Sequence, residues 1–196
     1  MEIRLLHGAA IAPYIDDIAR LRLTLLREFP YLYEGTPECE ADALRRYIDC
    51  ECSLAILAVD EGRVVGASTG LPLSDNSEAL RQPFLEQGRD PRTVYYFGKS
   101  VLLPAYRGRG LGVRFFIERE SYAHKLGGFH YCAFSAVERP NGHPRRPDDY
   151  KPLHGFWRNR GFLHQPSMRA SYAWRDLDEA DESDKTLSFW LKDLLL

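Results

Sequence analysis

The sequence predicts one mixed α/β (α+β) domain, a central sheet of about six to seven strands with flanking helices, and three observations carry that prediction. Short runs rich in β-branched and aromatic residues alternate with segments whose apolar residues recur at three- and four-residue spacing. Across residues 93–137 a strand, a helical segment and a second strand follow one another, the order of a right-handed parallel crossover. Paired runs joined by short connections lie on either side of that unit, and hairpins of this kind are antiparallel.

Taken in order, Glu2–His7 reads as a short strand. Pro13 opens a long helical segment with Ile15, Ile18, Leu21, Leu25 and Leu26 on one face. Phe29-Pro30 ends it, because a residue before proline is pushed out of helical geometry. Glu38–Tyr47 is a second helix, and Ser53–Val59 and Val64–Leu71 form a hairpin around Asp60-Glu61-Gly62-Arg63. Pro72–Arg92, rich in turn formers and charge, reads as irregular or partly helical. Thr93–Leu103 is the strongest strand, stopped by Pro104. Leu111–Leu126 carries Leu111, Phe115, Phe116, Arg119, Tyr122 and Ala123 at helical spacing and closes on Gly127-Gly128. Tyr131–Val137 is a strand, Glu138–Tyr150 a loop rich in proline and arginine, and Pro152–Arg160 a short helix ended by Gly161. Ser167–Trp174 and Thr186–Lys192 are strands joined by the acidic link Asp176–Asp184.

The 196 residues suffice for a single domain spanning 1–196. A net charge of −2 gives no electrostatic case for nucleic acid or an anionic membrane. The start Met1-Glu2-Ile3-Arg4-Leu5-Leu6 lacks a leader-like pattern, and no run approaches the ~18 apolar residues of a spanning helix. A cytoplasmic protein is therefore expected. The four cysteines, Cys39, Cys50, Cys52 and Cys132, lack metal-ligand spacing and are read as reduced thiols, two or more of them buried. The apolar tail Phe189-Trp190-Leu191 to Leu194-Leu195-Leu196 suits either a last strand over the chain's own core or the face of a homodimer.

The stretch that carries chemistry is Leu102-Leu103-Pro104-Ala105-Tyr106-Arg107-Gly108-Arg109-Gly110-Leu111-Gly112, between a strand and a helix. Glycines at Gly108, Gly110 and Gly112 leave bare backbone N–H groups at a helix start, where hydrogen bonds and the helix dipole favour a pyrophosphate. Arg107, Arg109 and Arg114 add positive charge beside it. A P-loop would need Gly-Lys followed by Ser or Thr, and a dinucleotide fingerprint would need two residues before the third glycine; neither is present.

Pro104-x-x-Arg107-Gly108-x-Gly110-x-Gly112 directly after a strand resembles the central motif of the GNAT (GCN5-related N-acetyltransferase) superfamily. Phe156-Trp157-Arg158-Asn159-Arg160-Gly161-Phe162 resembles that family's late helix ending in Gly-Phe, and the element order is similar throughout. The resemblance implies a GNAT-like fold, acetyl-CoA (coenzyme A) as cofactor, and acetyl transfer to a primary amine by direct attack in a ternary complex; the proline-stiffened loop 138–150 and the long Pro72–Arg92 insertion, which narrow the groove a peptide needs, favour a small-molecule acceptor. It implies that the strands of residues 93–103 and 131–137 splay into a V, with the pantetheine arm against the backbone of Leu102 and Leu103. The pyrophosphate would lie on Arg107, Gly108, Arg109, Gly110, Leu111, Gly112, Val113 and Arg114.

The sequence departs from the family at the catalytic positions. Trp157 stands where many members carry the tyrosine that protonates the leaving thiolate, and Tyr150 where many carry an asparagine. Tyr150 is a candidate acid, the alternatives being that it only packs against the cofactor and that solvent protonates the thiolate. The strand Tyr95-Tyr96-Phe97-Gly98-Lys99-Ser100 lacks the family's glutamate base, which leaves Glu138, at the end of the next strand, as candidate base. Lys99 reads as a substrate contact or a surface charge, and Arg139, Arg145 and Arg146 either as a clamp for a carboxylate or phosphate or as surface-loop arginines paired with Asp148 and Asp149. These departures also keep open an alternative, a non-catalytic acyl-CoA-binding or regulatory module.

Overall fold

The computed structural model describes residues 1–195. A single mixed sheet is built from β1 (Glu2–Leu6), β2 (Leu54–Asp60), β3 (Arg63–Pro72), β4 (Val94–Leu102), β5 (Tyr131–Val137), β6 (Leu163–Trp174) and β7 (Ser183–Asp193). The spatial order is β1-β2-β3-β4-β5-β7-β6, so the last strand slots in between β5 and β6. Only the β4–β5 pair is parallel; every other neighbour is antiparallel. The helices are α1 (Ile15–Leu25), α2 (Pro37–Asp49), α3 (Glu78–Glu86), α4 (Leu111–Leu126) and α5 (His154–Arg158).

Two opposed faces of the sheet are covered because its central strands are apolar on both sides. In β2 every residue from Leu54 to Val59 is buried. Ala55, Leu57 and Val59 meet Ile18, Leu21, Leu25 and Leu44 of α1 and α2. Leu54, Ile56 and Ala58 meet Leu111 and Phe115 of α4. Phe97 and Phe116 join Phe134, Phe162 and Trp190 in an aromatic layer linking α4 to β5 and β7. Each such side chain, fully buried, contributes about 1.5–3 kcal/mol.

Several boundaries differ from the sequence reading. A 3-10 segment, Gly8–Tyr14, precedes α1, so the α-helix starts at Ile15 rather than Pro13. The stretch 72–92 is partly helical, as expected, its helix being α3 with Pro83 inside it. β6 begins at Leu163, four residues earlier than expected, with Pro166 at a register shift between Gln165 and Arg169 where no ladder bond is lost. Only Cys132 is buried; Cys39 and Cys52 are exposed and Cys50 half-buried, because they lie on the first turn of α2 and in the turn after it. Phe189, Trp190 and Leu191 are buried within the chain's own sheet, which accounts for that part of the apolar tail; Leu196 lies outside the described residues. Among the described residues no helix is long and apolar enough to cross a membrane.

Candidate active site

β4 and β5 pair over only three positions: Val94 with Tyr131, Tyr95 with Cys132 and Tyr96 with Ala133. Beyond them β4 stays bonded to β3 as far as Leu102, and β5 to β7 as far as Val137. The outer edges of both strands thus remain in the sheet while their inner edges part, which is the V that the resemblance implies. A β-bulge sits at the parting. Ser68 faces Ser100 and Gly70 faces Phe97, so Thr69 alone opposes both Gly98 and Lys99. A Cβ at Gly98 would overlap the hydroxyls of Tyr47 and Thr69, so a larger residue there would have to displace both.

From the α4 side the bulge is held by Arg119. Its guanidinium donates to the carbonyls of Phe115 (3.1 Å), Thr69 (3.3 Å) and Gly98 (3.4 Å), and lies 4.2 Å from the ring centre of Phe97. The residue is 1% exposed and pairs with no carboxylate among the described residues. Burial pulls its pKa down to about 9, which leaves it charged at neutral pH. Sequence reading placed Arg119 in the apolar stripe of its helix; a charged residue in such a stripe was the available signal for this role.

At the C-terminal end of β4 the chain runs through Pro104–Tyr106 into the glycine loop. Gly108 has φ +75° and Gly110, the N-cap of α4, φ +81°. No side chain caps this helix start and its first turn carries no acid. The first intrahelical bond is from Arg114 N–H to Gly110 O (3.0 Å), so the N–H groups of Leu111, Gly112 and Val113 have no acceptor in the helix. A Cβ on Gly108 or Gly110 would meet nothing within 4 Å, so the space over the loop is open. Leu103 N–H is taken by Val65 O (3.0 Å). Successive strand residues bond to opposite sides, so it is Leu102 whose backbone faces the V, and its carbonyl accepts from Arg107 Nε (3.1 Å). Arg107 also grips Glu28 through Nη2, at 2.9 and 3.1 Å from its two oxygens. Arg109 lies 5.1 Å from the ring centre of Tyr106, and Arg114 pairs with Glu118 one turn on.

The model of the Acetyltransferase (GNAT) family matches residues 19–147, more than half of the chain. The chain belongs to the GNAT family of acetyltransferases. No curated protein sequence matches it. Among solved structures, the GphF GNAT-like decarboxylase in complex with isobutyryl-CoA superposes with a TM-score of 0.62 at 15% identity, covering 99% of this chain and 100% of that one. Ribosomal-protein-alanine N-acetyltransferase from Brucella melitensis gives 0.59 at 15%, over 98% and 99%. An aminoglycoside 6'-N-acetyltransferase complexed with coenzyme A gives 0.58 at 15%, over 99% and 97%. At these identities the likeness is one of fold.

On the other side of this GNAT domain's V, the connection between α1 and α2 meets the loop after β5. Phe29 packs edge-on to Tyr150 (4.7 Å between ring centres) and lies 5.6 Å from His143. Tyr150 is half-buried, and burial raises its pKa, so it holds its proton at neutral pH. Arg146 lies 5.0 Å from the Tyr150 ring centre, and Arg145 is exposed. Neither arginine pairs with Asp148 or Asp149. Glu138 sits at the end of β5 with its N–H on Thr186 O (2.8 Å) and its carboxylate 3.4 Å from Arg169. Lys99, on the bulge, donates to the Tyr31 hydroxyl (2.8 Å).

Arg139 is no part of a substrate clamp. Half-buried, it pairs with Asp176 (2.7 and 2.8 Å) and donates to the carbonyls of Pro30 (2.8 Å) and Tyr31 (2.9 Å), so it ties the α1–α2 connection to the link between β6 and β7.

Proposed function

We propose that the chain is an acyl-CoA-dependent N-acyltransferase that moves an acetyl group from acetyl-CoA to a primary amine of a small molecule, by direct attack in a ternary complex. One observation carries this reading. An uncapped, arginine-flanked helix start opens at the same end of the sheet where β4 and β5 part. When bound, acetyl-CoA supplies the thioester that the amine attacks.

The N–H groups of Leu111, Gly112 and Val113, with Arg107, Arg109 and Arg114, suit the pyrophosphate, and Leu102 presents its N–H to a pantetheine arm in the V, its carbonyl being taken by Arg107. Pyrophosphate on Arg107 would replace the Glu28 carboxylate, which already sits there as an anion. Glu138 is the proposed base for the amine proton; it must first part from Arg169, an exposed pair worth little. Tyr150, protonated and without a hydrogen-bond partner for its hydroxyl among the described residues, is the proposed acid for the thiolate. Arg145 and Arg146 are proposed to contact the acceptor at the mouth. Positioning supplies a large share of the rate in such a site.

The alternative, a non-catalytic acyl-CoA-binding module, draws on Trp157, which packs against Phe134 (5.0 Å) and Trp190 (4.9 Å) and offers no labile proton. A thiol-release assay with acetyl-CoA across a broad panel of primary amines separates the two. Release that depends on the amine is the expected result. CoA binding with no release from any amine supports the binding module instead.

A further inference from the structure

Around the acceptor side most charges have a counter-charge, and two half-buried cations, Lys99 and Arg146, have none among the described residues; Arg146 rests on the Tyr150 ring, so Lys99 is the one that stands on the strand at the V. Glu28 is held by Arg107, Glu138 by Arg169, Asp176 by Arg139 and Lys185, and Glu179 by Lys185. Lys99 is half-buried and has no carboxylate within 4.0 Å among the described residues. Its ammonium rests on Tyr31 alone, 2.8 Å from the hydroxyl oxygen and 4.0 Å from the ring centre. A phenol is a weaker partner for an ammonium than a carboxylate is, so this half-buried cation has room for an anionic one.

The arrangement is also rigid. The bulge fixes where Lys99 leaves β4, at the point where β4 separates from β5. The Tyr31 carbonyl accepts from Arg139 Nη2 (2.9 Å) and Trp174 Nε1 (3.1 Å), which pins the tyrosine backbone. Because the Tyr31 oxygen accepts from Lys99, its own proton is free to be donated, and no acceptor for it exists among the described residues. Two donors, one of them charged, therefore stand 2.8 Å apart beside the opening of the V. That pair matches the two oxygens of one carboxylate.

We propose that Lys99 and Tyr31 bind a carboxylate carried by one of the two reactants, either on the amine, as in an amino acid, or at the far end of the acyl chain, as in a dicarboxylic acid monothioester. This rests on the acyl-CoA reading above. A lysine ammonium at this point also disfavours polycationic acceptors, which would place like charges together.

Calorimetry tests both sources. In one arm, α-amino acids and their carboxamides are titrated into the CoA-bound chain. In the other, malonyl-CoA and succinyl-CoA are compared with acetyl-CoA and propionyl-CoA. In one arm the carboxylate form is expected to bind at least tenfold tighter than its neutral counterpart. Lys99→Met removes that preference, Tyr31→Phe reduces it, Lys99→Arg keeps it, and all three bind CoA itself like the parent. A parent that binds CoA but shows no preference in either arm, or a preference that survives Lys99→Met, overturns this inference alone. A parent that does not bind CoA overturns the acyl-CoA reading and this inference with it.

Discussion

Replacing Gly110 with valine is expected to abolish CoA binding while the ligand-free protein stays folded. Gly110 caps α4 at φ +81°, a left-handed angle that costs an L-residue about 1–2 kcal/mol and a β-branched one more. In a chain of this size that strain lowers the melting temperature by only about 2–4 °C per kcal/mol. No neighbour blocks the added side chain, since a Cβ at Gly110 meets nothing within 4 Å. The same open space is where phosphate oxygens must come within ~2.9 Å of the N–H groups that follow. Charge-assisted bonds of this kind contribute about 1.5–3 kcal/mol each, so weakening two of them costs roughly a hundredfold or more in affinity. CoA titration beside a ligand-free thermal melt is the measurement. A Gly110→Val chain that binds CoA like the parent removes this loop from the cofactor site.

Arg119→Met is expected to lower turnover by about a hundredfold, with a smaller effect on stability. Methionine keeps the aliphatic reach, but the carbonyls of Thr69 and Gly98 lose the donor that draws the bulge toward α4. A buried carbonyl left unpaired costs about 1–3 kcal/mol, and removal of an uncompensated buried charge offsets part of that. A net loss near 2 kcal/mol corresponds to a melting point about 4–8 °C lower. Relaxation of the bulge to an ordinary ladder would swing Lys99 and narrow the V, and misplacements near 1 Å at a reacting centre cost about a hundredfold in rate. Turnover is compared well below both melting points. If Arg119→Met turns over like the parent, the bulge does not depend on Arg119.

What could be read from the sequence was whatever had a local cause. The glycine loop, the parallel crossover around it and the alternation of apolar faces are written within short windows, and they located the helix start; the V was expected only from the likeness to the GNAT family. Pro166 concealed the first half of β6, because a proline inside a strand reads as a stop unless a register shift accommodates it. Pro83 and the charges about it kept the bounds of α3 from being drawn within a stretch read only as irregular or partly helical. The roles of Arg139 and Arg119 had no local cause. Arg139 finds its acid, Asp176, 37 residues away, and read by itself it looked like a free clamp. Arg119 binds carbonyls on two strands that only the fold brings to it. Gly98 inside a strong strand was the legible sign of the bulge, since a lone glycine there often marks one. Tyr31 gave no signal at all, because what fixes it comes from Arg139 and Trp174, both more than a hundred residues later.

The central claim is that the helix start at Gly110 grips the pyrophosphate of CoA, and the most direct measurement is calorimetric titration of the parent chain with CoA and, separately, with pantetheine, which lacks the phosphates. At least hundredfold weaker binding of pantetheine is the predicted result, since it forgoes the N–H groups of Leu111–Val113 and the charges of Arg107, Arg109 and Arg114. Equal affinity for the two would contradict it.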